Sequence, residues 1–526
     1  MDTTTNPPFT MNELTISRFH SALLAGSTTC EALTSFYLSQ IAKYDKTLRS
    51  IITINPQALE EARRKDARFA ATKAFATDPD DPDVQLKLHL PPLFCVPIVL
   101  KDTYATTSMP TTAGSISLRT LRTKEDAFVV QRLRAAGAII LAKANLHEFS
   151  LQGITISSLG GQTLNPYDST RTPGGSSGGT AVALAANMAL VGCGGDTMNS
   201  LRSPASACGV VGFRPSRGQI SKRGTVPVTM AQDVLGPMAR AVEDVRVLFE
   251  VMRGQDVEDQ VTVDERRENE TRSPPSGPET SSINALRGHD HKIRIGVLDN
   301  YFDDDTNQDQ EISIVNETIQ SALKKSHDFA DLIHLSVPEF DTHTLLSTVD
   351  VQSYEFRTAI DSFLQSDIII PGSTHRSLAS IAASGEFMRE AMTPPFFESL
   401  QTDVFNTSSP EYKERLGRIE ALKRKLQECF EKNRLDALVY PHQRRLVVRV
   451  GETVQSGRNG ILAALTGTPA ICVPAGFSSP TETAPLGIPI GIELLGRPWK
   501  DFELLDIAER FEGVLQARRE PVLETV

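Results

Sequence analysis

The first segment of the chain carries apolar residues at helical spacing over residues 12–75. They fall at Leu14, Ile16, Phe19 and Leu23, and again at Leu33, Phe36, Tyr37 and Ile41. A recurrence every three or four positions is typical of an amphipathic helix. The pattern therefore predicts two or three N-terminal helices, with a break at Gly26.

The segment after residue 90 alternates apolar runs with helical patterns. A nearly continuous apolar run over 93–100 predicts a buried strand that ends at Lys101. The next elements are a predicted helix over 127–136, a strand over 138–142 and a helix over 180–190. This alternation is typical of an α/β protein whose large central sheet is covered by helices on both faces.

The second half of the chain changes character twice. Residues 254–291 are charged and rich in Pro and Ser, which predicts a flexible surface insertion. Residues 340–435 have mainly helical patterns, and residues 436–526 return to sheet-like apolar runs. We therefore predict a single domain over 1–526, whose core is formed by residues 90–250 together with the C-terminal part.

The composition and the net charge of the chain indicate which kinds of partner the protein can bind. The chain is 40% hydrophobic and 23% charged, as in ordinary soluble proteins, and its net charge of -11 argues against a nucleic-acid partner. Residues 1–11 lack a secretory signal pattern. No apolar run reaches the ~20 residues that a membrane span needs. We expect a cytoplasmic protein without a membrane span, and the sequence leaves a homodimer open.

The six cysteines stand singly, at Cys30, Cys95, Cys193, Cys208, Cys429 and Cys472. None has the Cys or His spacing of a zinc site. We expect free buried thiols, and no metal.

Two Gly- and Ser-rich stretches, residues 172–180 and 194–205, flank an Ala-rich helical pattern. Glycine permits backbone conformations that other residues avoid, so such turns can direct several N–H groups at one oxygen atom. Tight turns in a packed α/β fold would explain the glycines equally well. Taken alone, these stretches are consistent with an oxyanion site and do not establish one.

Three motifs together resemble the amidase signature family. The chain has Gly-Gly-Ser-Ser-Gly-Gly at 174–179, Asp-x-x-x-Ser-x-Arg-x-Pro at 196–204 and Val-Pro-x-x-x-Lys-Asp at 96–102, and Ser200 follows Ser176 by 24 positions. Shorter matches occur at 113–115, 143–149, 165–166, 209–215, 467–470 and 474–476. The resemblance is strong over 12–250 and looser over 440–500. It implies the amidase signature fold, with a large central mixed β-sheet covered by helices on both faces, and hydrolysis of a small-molecule carboxamide.

The resemblance also implies catalytic roles. Ser200 would attack the amide carbonyl, Lys101 would be the base, and Ser176 would relay the proton, with a cis peptide bond between Gly175 and Ser176. A lysine with an ordinary pKa of ~10.4 is almost fully protonated at neutral pH, so a base role requires burial and a lowered pKa. An ion pair between Lys101 and Asp102 at a strand end is the structural alternative.

The same resemblance implies that the backbone N–H groups of Thr197, Met198, Asn199 and Ser200 form the oxyanion hole. The chain departs from the family here, because the family usually has Gly at the positions of Met198 and Asn199. These larger side chains would affect the size of the substrate that the site accepts more than the chemistry of the reaction.

Three further residues are expected to support the nucleophile rather than to react. Asp196 and Arg202 would bond around its turn, and Ser177 would contribute hydrogen bonds. The proposed mechanism has no use for His147. Serine-based acyl transfer requires no metal and no organic cofactor, so none is expected.

Two other functions remain open from the sequence. One is an esterase with a Gly-x-Ser-x-Gly elbow, which would use Ser177 as nucleophile with His375 or His442 as its base. The other is an amidotransferase subunit that is inactive without its partners. The helical region 340–435 is predicted to lie on the substrate side, and Phe356, Phe363, Phe387, Phe396 and Phe397 would line an acyl pocket or simply pack in the core.

Overall fold

The computed structural model describes residues 10–75, 90–265, 292–302, 309–372 and 375–523. The strands are β1 (Ile51–Ile54), β2 (Pro97–Lys101), β3 (Ile139–Ala144), β4 (Ile156–Ser157), β5 (Gly161–Gln162), β6 (Val191–Asp196), β7 (Val211–Arg214), β8 (Val234–Ala239), β9 (Ile293–Leu298), β10 (Ala330–Leu335), β11 (Ala437–Pro441), β12 (Ala470–Phe477) and β13 (Pro489–Gly496).

The first helices are α1 (Ile16–Leu24), α2 (Cys30–Leu48), α3 (Ala58–Phe75), α4 (Phe128–Ala135), α5 (Gly178–Ala185), α6 (Arg202–Cys208) and α7 (Val242–Met252). The later helices are α8 (Gln310–Lys325), α9 (Thr342–Thr348), α10 (Gln352–Gln365), α11 (Leu378–Ser384), α12 (Pro394–Glu398), α13 (Pro410–Asn433), α14 (Ile461–Thr466) and α15 (Asp501–Leu515).

Eleven strands of the described chain form one mixed sheet in the order β1-β3-β2-β6-β8-β7-β12-β13-β11-β9-β10. The β3-β2-β6 group and the β11-β9-β10 group are parallel, whereas the strands between them pair antiparallel. The prediction of an α/β protein with a large mixed sheet is confirmed.

Helices cover both faces of this sheet. Along β11, Leu438 and Tyr440 belong to an apolar cluster with residues of α13 and α14. Their neighbours Ala437 and Val439 belong to a second cluster with residues of α8 and α15. Because alternate residues of a strand point to opposite faces, the two clusters lie on opposite sides of the sheet.

The N-terminal region forms three helices, in agreement with the predicted two or three. Thr15 and Thr29 cap α1 and α2 by accepting hydrogen bonds from the N–H groups of Arg18 and Ala32. Between the two helices Gly26 has a φ of 72°, a conformation that favours glycine. The predicted break therefore falls at the right residue.

The strand predicted over 93–100 begins later than expected. Residues 93–96 form a turn in which the N–H of Val96 donates to the carbonyl of Leu93 at 3.0 Å, and β2 starts at Pro97. The end of the strand was predicted correctly, because Lys101 is its last residue. Side-chain polarity does not distinguish a buried turn from a buried strand, which explains the error.

The flexible insertion predicted over 254–291 lies partly outside the described residues. Its first part, 254–265, packs on the core, where the buried Asp256 accepts hydrogen bonds from Ser221 and Arg223. Helices α9 to α13 all fall within 340–435, where the sequence indicates mainly helical patterns, and the location of this region on the substrate side stays a prediction.

The expectation of six free thiols is wrong for one pair. Cys30 at the start of α2 and Cys95 before β2 form a disulfide with their Cα atoms 5.3 Å apart. The pairing joins residues 65 positions apart, so no local spacing could have indicated it. The other four cysteines are free and buried. Among the described residues, no helix has the length and apolar character needed to cross a bilayer.

Candidate active site

Three segments converge at one edge of the sheet. Lys101 ends β2, Ser200 lies in the turn between β6 and α6, and Ser176 lies just before α5. Strands β2 and β6 are hydrogen-bonded neighbours in parallel orientation, so their carboxyl ends meet at the same edge. In open α/β sheets, ligands bind outside the carboxyl ends of such strands.

The Lys101 side chain contacts Ser176 directly. Its Nζ donates to the Oγ of Ser176 at 2.7 Å. Lys101 is only 2% exposed, and burial lowers its pKa to about 7, although the carboxylates of Asp233 and Asp196 act in the opposite direction. A large fraction of Lys101 is therefore neutral at neutral pH and able to accept a proton.

Asp102 does not neutralise Lys101. Its carboxylate accepts a hydrogen bond from the Nζ of Lys143 at 2.6 Å and is also bonded by Thr112. Lys143 is buried, on the neighbouring strand β3. The structural alternative, an ion pair between Lys101 and Asp102, is therefore wrong, because the Asp102 carboxylate pairs with Lys143 instead.

The two serine-bearing segments pack against each other. The peptide bond between Gly175 and Ser176 is cis, as the resemblance implies. The N–H of Ser177 donates to the carbonyl of Ser200 at 3.2 Å, and a Cβ atom at Gly174 would lie 3.0 Å from the carbonyl oxygen of Ser203. Only a residue without a side chain permits this approach, so the glycines set the spacing of the segments.

The turn from Thr197 to Ser200 presents backbone N–H groups without a partner. Within the described part of the chain, no oxygen atom accepts a hydrogen bond from these four N–H groups. Neither Met198 nor Asn199 has a positive φ, so the backbone of this turn accommodates side chains at both positions. Unpaired donors beside a serine hydroxyl can stabilise a negatively charged oxygen.

A buried ionic network fixes the backbone of this turn. Arg202 donates to the Asp196 carboxylate at 3.1 and 3.0 Å and to the carbonyl of Met198 at 2.6 Å, and it also pairs with Glu493. Arg214 donates to Asp196 at 2.8 Å. Burial alone raises the pKa of Asp196, but the two guanidinium groups bring it well below its usual value. Asp196 and Arg202 thus lie where the sequence predicted supporting residues.

A second carboxylate lies on the other side of the turn. Asp233 accepts a hydrogen bond from the Thr197 hydroxyl at 2.7 Å and one from the N–H of Val228 at 2.8 Å. A cavity of about 30 Å³ lies between Lys101, Asp233 and Lys222, enough for one water molecule.

No hydrogen bond joins the side chains of the remaining serine and histidine candidates to Lys101, Ser176 or Ser200 within the described residues. Ser177 donates to the carbonyl of Gly195 at 3.2 Å and accepts from its N–H at 3.3 Å. His442 Nδ1 lies 2.5 Å from Glu493 Oε2, and His375 lies 3.7 Å from Glu386. His147 is buried, which lowers its pKa to about 4, and its Nε2 lies 2.7 Å from the carbonyl of Ala391.

The predicted aromatic pocket residues are mostly interior. Phe356, Phe363 and Phe396 are buried in one apolar cluster with Phe149. Phe396 is 0% exposed, and its ring centroid lies 5.0 Å from that of Phe387. These contacts favour core packing over a ligand-facing wall for Phe396.

Sequence reasoning missed several residues that contact the segment 196–202 around Ser200, namely Arg214, Asp233, Arg458 and Glu493. Only Arg214 lay within one of the motifs. The others come from distant parts of the chain that the sheet order brings together.

This fold and site define a class of protein. The family model described as Amidase matches residues 32–505, so the chain belongs to the Amidase family, whose enzymes act on C–N bonds. Lys101, Ser176 and Ser200 all lie within the matched range.

Particular relatives share most of the chain. A glutamyl-tRNA(Gln) amidotransferase subunit from Chloroflexus aurantiacus is 30% identical over 96% of this chain and 97% of its own length. The protein of the same name from Symbiobacterium thermophilum is 32% identical over 95% and 96%. The peptide amidase structure from Stenotrophomonas maltophilia has a TM-score of 0.80 at 28% identity, covering 98% of this chain and 100% of that one.

Proposed function

We propose that this protein is an amidase that hydrolyses the C–N bond of a carboxamide, giving a carboxylic acid and ammonia or an amine. The acyl-enzyme would form on Ser200. The observation that carries the proposal is the buried hydrogen bond of 2.7 Å between Lys101 Nζ and Ser176 Oγ, next to the segment that bears Ser200. A lysine with a pKa of about 7 in this position can act as a general base.

The acylation step follows from these groups. Neutral Lys101 takes the Ser176 hydroxyl proton, and Ser176 takes the proton of Ser200 as Ser200 Oγ attacks the amide carbon. The carbonyl oxygen becomes an oxyanion and accepts hydrogen bonds from the N–H groups of the turn at Thr197–Ser200. Removal of a single donor of this kind typically slows catalysis ~10²–10³-fold.

Breakdown of the tetrahedral intermediate needs the same proton. It returns from Lys101 through Ser176 to the amide nitrogen, so the amine leaves as a neutral molecule and the acyl group stays on Ser200. Water then attacks the acyl carbon and gives up a proton along the same relay. The bond between the acyl carbon and Ser200 Oγ then breaks, and the relay returns the proton to Ser200. The carboxylic acid leaves, and Lys101 is neutral again.

The esterase alternative has less support. Its nucleophile would be Ser177, whose hydroxyl is bonded to both backbone groups of Gly195. Its base would be His375 or His442, which contact Glu386 and Glu493. In the described chain no hydrogen bond joins Ser177 to either histidine.

A second candidate function is favoured by the relatives. Two proteins named as glutamyl-tRNA(Gln) amidotransferase subunits match almost the whole chain at 30% and 32% identity. A subunit of this kind would contain the same relay and be inactive alone. The distinction therefore rests on whether the isolated chain has a reactive serine.

The test is to treat the purified protein with a fluorophosphonate and to locate the adduct by mass spectrometry. We expect an adduct on Ser200. Lys101→Ala should slow its formation ~10²–10⁴-fold, because general-base catalysis contributes that much. The exposed Lys324 provides the matched control, so Lys324→Ala should leave the labelling rate unchanged.

The other outcomes point elsewhere. An adduct on Ser177 would support the esterase, and an unlabelled isolated chain would support a subunit that needs its partners. Equal labelling of the wild type and Lys101→Ala would contradict the proposed relay.

A further inference from the structure

A guanidinium group lies beside the residue that precedes the nucleophile. Arg458 Nη1 donates to Asn199 Oδ1 at 3.1 Å, and Nη2 donates to Gln152 Oε1 at 2.9 Å. Arg458 also lies two residues before Gly460, where a Cβ atom would lie 2.7 Å from the Cβ of Asn199. The segment that carries Arg458 therefore packs directly on the turn from Thr197 to Ser200, which we call the oxyanion turn.

The same guanidinium also borders the segment that bears Ser176. A Cβ atom at Gly153 would clash with Arg458 Nη1, and a Cβ atom at Gly175 would lie 3.0 Å from the carbonyl carbon of Gly153. The backbone of Gly153 thus lies between Arg458 and Gly175 and contacts both. Arg458 consequently lies close to both serine-bearing segments of the site.

Arg458 differs from the other cations of this region in having neutral partners. Lys143, Arg202 and Arg214 each pair with a carboxylate, whereas in the described chain Arg458 forms no ion pair. Both groups it contacts are side-chain amide oxygens. Burial lowers the pKa of Arg458 to about 10, although the charge of Asp196 acts in the opposite direction, so the group remains charged at neutral pH. A partly buried charge that contacts no carboxylate gains strongly from an incoming anion.

The side chains of Asn199 and Gln152 supply the two oxygen atoms that hold the Arg458 guanidinium. The two amide oxygens use two of the five N–H groups of the guanidinium, and within the described residues the other three N–H groups have no acceptor. A planar guanidinium fixed in this way matches the two oxygen atoms of a carboxylate.

We infer that Arg458 binds a carboxylate of the substrate, so that the preferred amides are those that also carry a carboxylate. This inference rests on the proposed amidase function and narrows its substrate class. The monoamides of short dicarboxylic acids are the simplest members of the class. The matched neutral compounds are the corresponding diamides, which have the same length and lack the charge.

The experiment measures how well each compound protects Ser200 from the fluorophosphonate. The competitors are the monoamides and the diamides of succinic, glutaric and adipic acid. In the wild type, at least one monoamide should protect at a concentration ~10–100-fold lower than its diamide, as expected for a charge-assisted pair. In Arg458→Gln the monoamide and the diamide should protect equally.

Two controls separate ligand binding from a structural role. Arg449 is an exposed arginine of the same segment, and Arg449→Gln should keep the preference of the wild type. In the wild type the preference for the monoamide should weaken as salt is added, because salt screens a partly exposed charge pair. A merely structural Arg458 would change the labelling rate without competitor and leave the ratio between monoamide and diamide unaltered.

The experiment distinguishes a failure of the amidase proposal from a failure of the carboxylate site. Absence of an adduct on Ser200 would overturn both the amidase proposal and this inference. An adduct on Ser200 without any preference for the monoamides, or a preference that persists in Arg458→Gln, would overturn the carboxylate site alone.

Discussion

At the scale of single residues, the site depends on the protonation of one amine. Lys101 is buried and donates a hydrogen bond to the Ser176 hydroxyl, and burial brings its pKa to about 7. The carboxylates of Asp233 and Asp196 favour the charged form, but desolvation outweighs them. The pKa of this proposed base is therefore lowered by removal of water rather than by a neighbouring positive charge.

This tuning predicts the pH dependence of Ser200 labelling. Only neutral Lys101 can accept a proton, so the rate should rise with pH up to about 7 and level off above it. Well below that pKa the rate should fall ~10-fold per pH unit, following the neutral fraction. The measurement is the labelling rate from mildly acidic to mildly basic pH, with the intrinsic hydrolysis of the reagent subtracted. A rate independent of pH across this range would exclude Lys101 as the base.

At the scale of elements, one ionic network joins four parts of the fold. Asp196 ends β6, Arg202 begins α6, Arg214 ends β7 and Glu493 lies in the middle of β13. All four side chains are buried. Since Arg202 also bonds the carbonyl of Met198, the network holds the oxyanion turn to the sheet.

Removal of one charge from this network should be costly. Asp196→Asn leaves the Arg202 and Arg214 guanidinium groups buried without their shared carboxylate, which should lower the free energy of unfolding by ~3–5 kcal/mol. The control is Arg246→Gln, which breaks partly exposed pairs with Asp506 and Glu509 and should cost under ~1 kcal/mol. Urea unfolding of the three proteins measures both values, and similar losses in the two variants would contradict the argument.

The sequence predicted the elements around the site better than the contacts between them. The sequence predicted the end of β2 at Lys101 and the motifs with Ser176 and Ser200, because apolar runs and glycine patterns are local signals. The sequence did not predict the roles of Asp233 and Glu493, since these residues reach the site through the pairing of β8 with β6 and of β13 with β12. Strand order in a mixed sheet is a property of long-range packing that local patterns do not encode.

At the scale of the whole molecule, the disulfide between Cys30 and Cys95 connects the N-terminal helices to the entry of β2. It closes a loop of 65 residues, which on chain-entropy grounds stabilises the fold by ~4 kcal/mol. No sequence pattern indicated it, because the two cysteines share no motif. A reducing cytosol disfavours such bonds. The disulfide therefore argues against the cytoplasmic location that the sequence analysis predicts.

Counting thiols tests this feature. The chain has six cysteines, of which four are free in the structure. Oxidised protein unfolded in guanidinium should therefore take up four alkyl groups, and the same protein reduced beforehand should take up six. Peptide mapping should assign the two additional groups to Cys30 and Cys95. Full alkylation without reduction would show that the bond is absent.

The parallel pairing of β2 with β6 determines how the site behaves before any ligand arrives. The registers Ile98 to Val191 and Leu100 to Cys193 attach the strand that ends at Lys101 to the strand that leads to the turn with Ser200. Because these strands are direct neighbours, the two residues cannot separate without breaking a central ladder of the sheet. In the proposed mechanism the relay is thus preorganised, and substrate selection falls to the surrounding loops and helices rather than to assembly of the relay.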